Sequence, residues 1–154
     1  RMSGSGAATS LTVSRTYAAD AERVFAAWTT VEALTKWFGP KQIIVPRATI
    51  DLRVGGAYEI VMQSEHGESY IHRGHYREID PPRRLVFTWL LENQDCEGSD
   101  GVTAETVVSI DFEATPAGTK VTLQHDGLPS EPSCTAHTHG WTDSLECLMR
   151  HLSN

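Results

Sequence analysis

The sequence predicts an α+β fold: a curved seven-stranded antiparallel sheet wrapped around one long C-terminal helix, with two short helices inserted after the first strand. Three observations predict it. Within Pro132–Leu152, Trp141, Leu145, Leu148 and Leu152 recur at spacings of four, three and four, which is one apolar stripe of a helix, and Asp143, Glu146 and Arg150 fall away from it. Most of the chain before this helix alternates apolar and polar residues with the period of a strand. Short turn sequences separate those strands, so neighbours pair as hairpins, and a sheet of that size twists enough to grip a helix.

Taken in order, Arg1–Ser10 is small and polar and reads as a disordered lead, with no apolar run for a signal peptide or a membrane span. Residues 11–154 are expected to form a single domain. In Leu11–Tyr17, Leu11, Val13, Arg15 and Tyr17 share one face of a first strand. The period then changes. Asp20 is an N-cap for a helix with Val24, Phe25 and Trp28 on one face, and Thr30 caps a second carrying Leu34, Trp37 and Phe38, which Gly39-Pro40 ends. The pair would form a V-shaped support for one end of the long helix.

From Arg47, Ala48, Ile50, Leu52 and Val54 face one way, and Gly55-Gly56 is expected to be a two-residue hairpin connection. The return strand puts Tyr58, Ile60 and Met62 on one face. Ser64–Ser69 is a polar turn. In Tyr70–Ile79, Tyr70, His72, Gly74, Tyr76 and Glu78 lie on one side, but Ile71 and Ile79 lie on the other among charged residues, so a bulge is expected to change the facing partway. Pro81-Pro82 stops that strand. Arg84–Glu92 is the most apolar, with Leu85, Phe87, Trp89 and Leu91 in phase and Val86 and Leu90 opposite, and is expected to be central. Asn93–Gly101 reads as the longest exposed loop. Ala104, Thr106, Val108, Ile110 and Phe112 share one face of the next strand, and Val121, Leu123 and His125 form the inner side of the last.

Composition narrows the function. At 154 residues and 40% hydrophobic the chain can bury one substantial core. A net charge of -7 with no clustered basic face argues against a nucleic acid partner. Cys96, Cys134 and Cys147 are odd in number without C-x-x-C spacing, which fits a reducing, cytoplasmic setting. Gly55-Gly56 opens onto a strand and not a helix, so no phosphate-binding loop is present and no cofactor is expected. No edge signal decides between monomer and homodimer.

The inner face offers the candidate site. Strand parity collects Tyr58, Ile60, Met62, Tyr70, His72, Tyr76, Phe87, Trp89, Val108, Ile110, Leu123 and His125, which Trp141 and Leu145 of the long helix face. These residues either fill a core or wall a partly open pocket, and apolar cavities with a few polar groups are the usual ligand sites. Tyrosine hydroxyls could fix the polar end of a ligand. His72 or His125 with Tyr76 or Glu78 could do acid–base work, although an inward histidine more often satisfies a core hydrogen bond. No catalytic residue is assigned, since G-x-S-x-G is missing and Cys147 has no patterned partner. Cys134, His137 and His139 invite a metal reading, but His137 and His139 would point to different sides of a helix and zinc needs at least three converging ligands, so no metal is expected.

Four stretches also carry a family resemblance: ADAERVFAAWTTVEALTKWFGP (Ala19–Pro40), RVGGAYEIVM (Arg53–Met62), GHYREIDPPRRLVFTW (Gly74–Trp89) and GWTDSLECLMRHL (Gly140–Leu152). Together they resemble the homologues of the activator of the Hsp90 ATPase, within the helix-grip, START-like superfamily of the birch-pollen allergen. The third is the most specific. The resemblance implies a helix-grip domain that binds a hydrophobic small molecule between sheet and helix, and by its name a chaperone-modulating module as an alternative. A cyclase, aromatase or hydrolase acting in the same cavity is a further alternative. The eukaryotic activators carry an additional N-terminal domain that engages the chaperone, for which this chain is expected to have no room.

Overall fold

The computed structural model describes residues 10–38, 43–65, 67, 69–91, 104–128 and 131–152. The elements run β1 (Ser10–Tyr17), α1 (Ala21–Thr29), α2 (Val31–Trp37), β2 (Ile43–Ile50), β3 (Ala57–Ser64), β4 (Ser69–Asp80), β5 (Arg84–Leu91), β6 (Ala104–Thr115), β7 (Gly118–Asp126) and α3 (Glu131–Leu152). The strands form one seven-stranded sheet in the order β1-β7-β6-β5-β4-β3-β2, with every neighbouring pair antiparallel. The expected α+β architecture is therefore the observed one. Ser10, expected in the disordered lead, is instead the first residue of β1, where it pairs with Asp126. The rest of the lead (residues 1–9), the Gly39-Pro40 stop, the Asn93–Gly101 loop, Cys96 and the side chain of Tyr70 lie outside what is described.

The two short helices are a capped pair. The Asp20 carboxylate accepts from the Arg23 backbone N–H at 2.8 Å, and the Thr30 hydroxyl, one residue past α1, accepts from the Ala33 N–H at the start of α2. Trp37 Nε1 donates to the Ala27 carbonyl at 2.8 Å, and the Trp28 and Trp37 rings meet edge to face at 4.8 Å. These contacts hold the two helices against each other.

The stripe of α3 is buried as its spacing requires: Trp141, Leu145, Leu148 and Leu152 all belong to the core. The sheet also ties the helix down by polar contacts. The buried Tyr17 hydroxyl on β1 donates to the Leu145 carbonyl at 2.9 Å, and the Arg15 guanidinium pairs with the Glu146 carboxylate at 2.8 Å. Burial raises the Tyr17 phenol well above its ordinary pKa, so it stays a donor.

β5 is central as its composition predicts, fourth of the seven strands, with Leu85, Val86, Phe87, Thr88 and Trp89 consecutively buried. The expected change of facing in β4 also occurs. Its N-terminal half pairs with β3 through His75, its C-terminal half pairs with β5 from Tyr76 onward, and the register shifts between Tyr76 and Glu78.

The β2–β3 connection differs from expectation. β2 begins earlier, at Ile43, and ends at Ile50, so Leu52 and Val54 are not strand residues and are 43% and 66% exposed. The turn is a loop over residues 51–56: the Asp51 N–H donates to the Ala57 carbonyl, the Gly56 N–H to the Arg53 carbonyl, and the Arg53 side chain pairs with Asp51. Of the Gly55-Gly56 pair, Gly55 alone has a positive φ, of 86°, while a Cβ on Gly56 would overlap the Asp51 carbonyl. The loop backbone then bonds across to β4, from Gly55 N to Tyr76 O and from Tyr76 N to Gly56 O. That pairing holds the loop in place of a continued strand.

Candidate functional site

Alternation along β7 turns Val121, Leu123 and His125 inward, and His125 is completely buried. Its ring joins a closed chain of hydrogen bonds. Trp141 Nε1–H donates to His125 Nδ1 at 3.0 Å, which assigns the neutral ring's hydrogen to Nε2. Nε2–H then donates to Thr106 Oγ1 at 2.7 Å, and the Thr106 hydroxyl donates to the Trp89 carbonyl at 2.6 Å. Burial, helped by the neighbouring His137 and His72, pushes the His125 pKa down to about 3. A histidine whose two nitrogens are engaged and whose charge is suppressed locks α3 to β5, β6 and β7; it has no free lone pair to act as a base.

His72 on β4 is different. Its ring stacks on Trp89 at 4.4 Å with the planes 21° apart, and burial, with His137 second, pushes its pKa down to about 4. Its Nδ1 has no hydrogen-bond partner among the described residues, and the same holds for the buried Nε1 of Trp28 and of Trp89. Trp89 and Trp28 pack on Trp141 at 5.0 and 6.2 Å, and the Phe38 ring sits 6.2 Å from each of them. Directly under α3 the interior is therefore filled by aromatic rings.

Open space lies to one side of that cluster. A cavity of about 20 Å³ is lined by Tyr58, Ile60, Tyr76, Leu85 and Phe87 from the sheet, together with Trp28, Leu34 and Phe38. That is room for one water-sized group, against the ~300–1,000 Å³ of a typical small-molecule site. The Tyr58 hydroxyl donates to the Thr88 carbonyl at 2.6 Å, which occupies its proton, and burial raises its pKa. Gly74 faces Tyr58 in the β3–β4 register, and a Cβ there would overlap the Thr88 carbonyl. Burial also raises Tyr76, so both phenols are neutral.

Of the inner-face residues predicted from parity, Tyr58, Ile60, Tyr76 and Phe87 line this cavity. Met62, His72, Trp89, Val108, Ile110, Leu123, His125, Trp141 and Leu145 are buried in the core but do not line it. Glu78 does not join them: the register shift turns it outward, where it pairs with Arg84 at 3.2 Å, and Arg84 also pairs with Asp111. The sequence reading missed Trp28, Leu34, Phe38 and Leu85 as lining, though all four were on apolar faces that had to be buried. Thr106, in phase with Val108 and Ile110, was not singled out as the partner of His125. His137 meets His125 edge to face at 5.2 Å while His139 is exposed, and among the described residues no group of three or more possible metal ligands converges.

The description "Activator of Hsp90 ATPase homolog 1-like protein" belongs to the family model that matches residues 18–153. The chain belongs to this family. Its solved relatives include the AHSA1 protein of Silicibacter pomeroyi, 30% identical with a TM-score of 0.78 over 94% of this chain and 97% of that one. A protein from Nitrosomonas europaea, at 24% identity, superposes with a TM-score of 0.79 over 97% of both chains. The AHSA1-like protein of Aeromonas hydrophila, at 20% identity, has a TM-score of 0.75 over 94% and 92%. The last two likenesses show the shared helix-grip fold. No curated protein matches this AHSA1-like chain. None of its described helices is long and apolar enough to cross a membrane.

Proposed function

We propose that this AHSA1-like domain binds an apolar or aromatic small molecule between the α1–α2 pair and strands β3–β5. The observation that carries the reading is the cavity itself: its walls are aromatic and aliphatic side chains, and it lies where two short helices cover the sheet. At about 20 Å³ it admits a ligand only by expansion. The covering elements suit that, since α2 has seven residues and a helix this short owes its stability to packing, not to itself. An acid–base enzyme is less well supported, because His125 is fully engaged and Glu78 points away.

Native mass spectrometry beside the denatured mass tests the reading. A copurified molecule, or a thermal shift with hydrophobic probes that saturates at one equivalent, is the expected result. A protein that emerges empty and gains no stability from any such probe would overturn it. The family's description supports a second reading, a module that modulates a chaperone. Retention of an Hsp90-type chaperone on the immobilised domain is the result that reading requires, and its absence would remove the reading.

A further inference from the structure

We propose that the ligand carries a neutral hydrogen-bond-accepting oxygen, a carbonyl on an aromatic frame, which the indole N–H groups of Trp28 and Trp89 receive with His72 beside them. This rests on the ligand-binding reading above. The protein has four tryptophans, and they divide into two kinds. Trp37 and Trp141 donate, at 2.8 Å to Ala27 and at 3.0 Å to His125. Trp28 and Trp89, only 3% and 5% exposed, have no partner for their buried N–H among the described residues.

Leaving a buried donor unpaired costs ~1–3 kcal/mol, so such groups are rare and call for an explanation. Four buried side-chain atoms lack a partner among the described residues: one is Thr115 Oγ1, on β6, and the other three are joined through one aromatic cluster. The His72 ring, whose Nδ1 is one of them, stacks on Trp89, and Phe38 packs on both Trp89 and Trp28. Trp28 and Phe38 are also walls of the cavity, whereas Trp89, which packs on Phe38, and His72, which stacks on Trp89, do not line it.

Two indole N–H groups call for an acceptor. An ionised carboxylate is disfavoured, because among the described residues no Lys or Arg is buried and a buried charge without a partner is costly. A carbonyl oxygen has two lone pairs and no charge to desolvate. Trp28 is already at the cavity wall, and to reach Trp89 from there a ligand must displace the Phe38 ring.

The test is a ¹H–¹⁵N spectrum of the indole N–H groups, with Trp37 and Trp141 as internal controls. Three probes of one shape are titrated: 2-acetonaphthone, 2-ethylnaphthalene and 2-naphthoate. Acetonaphthone is expected to move the Trp28 and Trp89 indole protons downfield, leave Trp37 and Trp141 in place, and bind about tenfold more tightly than ethylnaphthalene, the worth of one good hydrogen bond. Trp28→Phe and Trp89→Phe should reduce that ratio while ethylnaphthalene still binds. Equal binding of the ketone and the hydrocarbon, with the Trp28 and Trp89 protons unmoved, overturns the proposal and leaves ligand binding intact. Tighter binding of naphthoate overturns the choice of a neutral oxygen. Failure of all three probes to bind removes the proposal together with the reading beneath it.

Discussion

His125 is held as a spacer with polar ends. Trp141 supplies a proton to one nitrogen, and the other passes one to Thr106, which passes its own to the Trp89 carbonyl. Trp141→Phe keeps an aromatic ring but leaves Nδ1 unpaired in the core, and is expected to cost ~1–3 kcal/mol in urea unfolding with the circular dichroism spectrum unchanged. The two buried histidines also make stability depend on pH. Folding lowers His72 to about 4 and His125 to about 3, so the unfolded chain takes up protons through 6.5 while the folded one does not. Their contribution is whole above pH 6.5 and falls as the pH drops toward 4, by ~3 kcal/mol per histidine. Urea midpoints between pH 7 and 4 should follow that fall, and His72→Phe should flatten it; an unchanged slope in that variant would contradict the assignment. Strand parity foretold that both histidines face inward. It could not foretell their difference, because His125 finds Trp141 on a distant helix and Thr106 on a neighbouring strand, and a period of two carries no information about partners.

Elements were legible where one pattern governed a whole segment. The α3 stripe and the alternation of β3 and β7 fix what those segments bury, and the structure buries it. The change of facing in β4 was visible because charged residues interrupt one face, although its place between Tyr76 and Glu78 depends on the pairing with β5. The end of β2 was misread because Leu52 and Val54 continue the alternation, whereas the hydrogen bond from Asp51 to Ala57 closes the hairpin before them. Gly74 shows the same limit: its need comes from the Thr88 carbonyl on the adjoining strand. Gly74→Ala is expected to cost more than ~2 kcal/mol by chemical denaturation, since backbone must shift and the Tyr58–Thr88 hydrogen bond shifts with it. Tyr17→Phe, which removes only the hydroxyl bonded to Leu145, should cost ~1 kcal/mol in the same assay.

At the scale of the whole molecule, a curled sheet and a long helix enclose more side chains than the helix alone can cover, and α1 and α2 close the remainder. The sequence identified the inner face but not where its packing is incomplete. A void depends on how rings such as Trp28, Phe38, Trp89 and Trp141 interlock, which no residue's position in the chain reveals. The described cavity lies beside the short helices, toward Leu34, Ile60 and Leu85, and the buried Leu145 and Leu148 do not line it. The most direct test of the ligand-binding account is therefore a map of nuclear Overhauser effects between a bound naphthalene probe and the protein's methyl groups. The account predicts contacts to Leu34, Ile60 and Leu85 and none to Leu123, Leu145 or Leu148. Contacts to the second group without the first would contradict it.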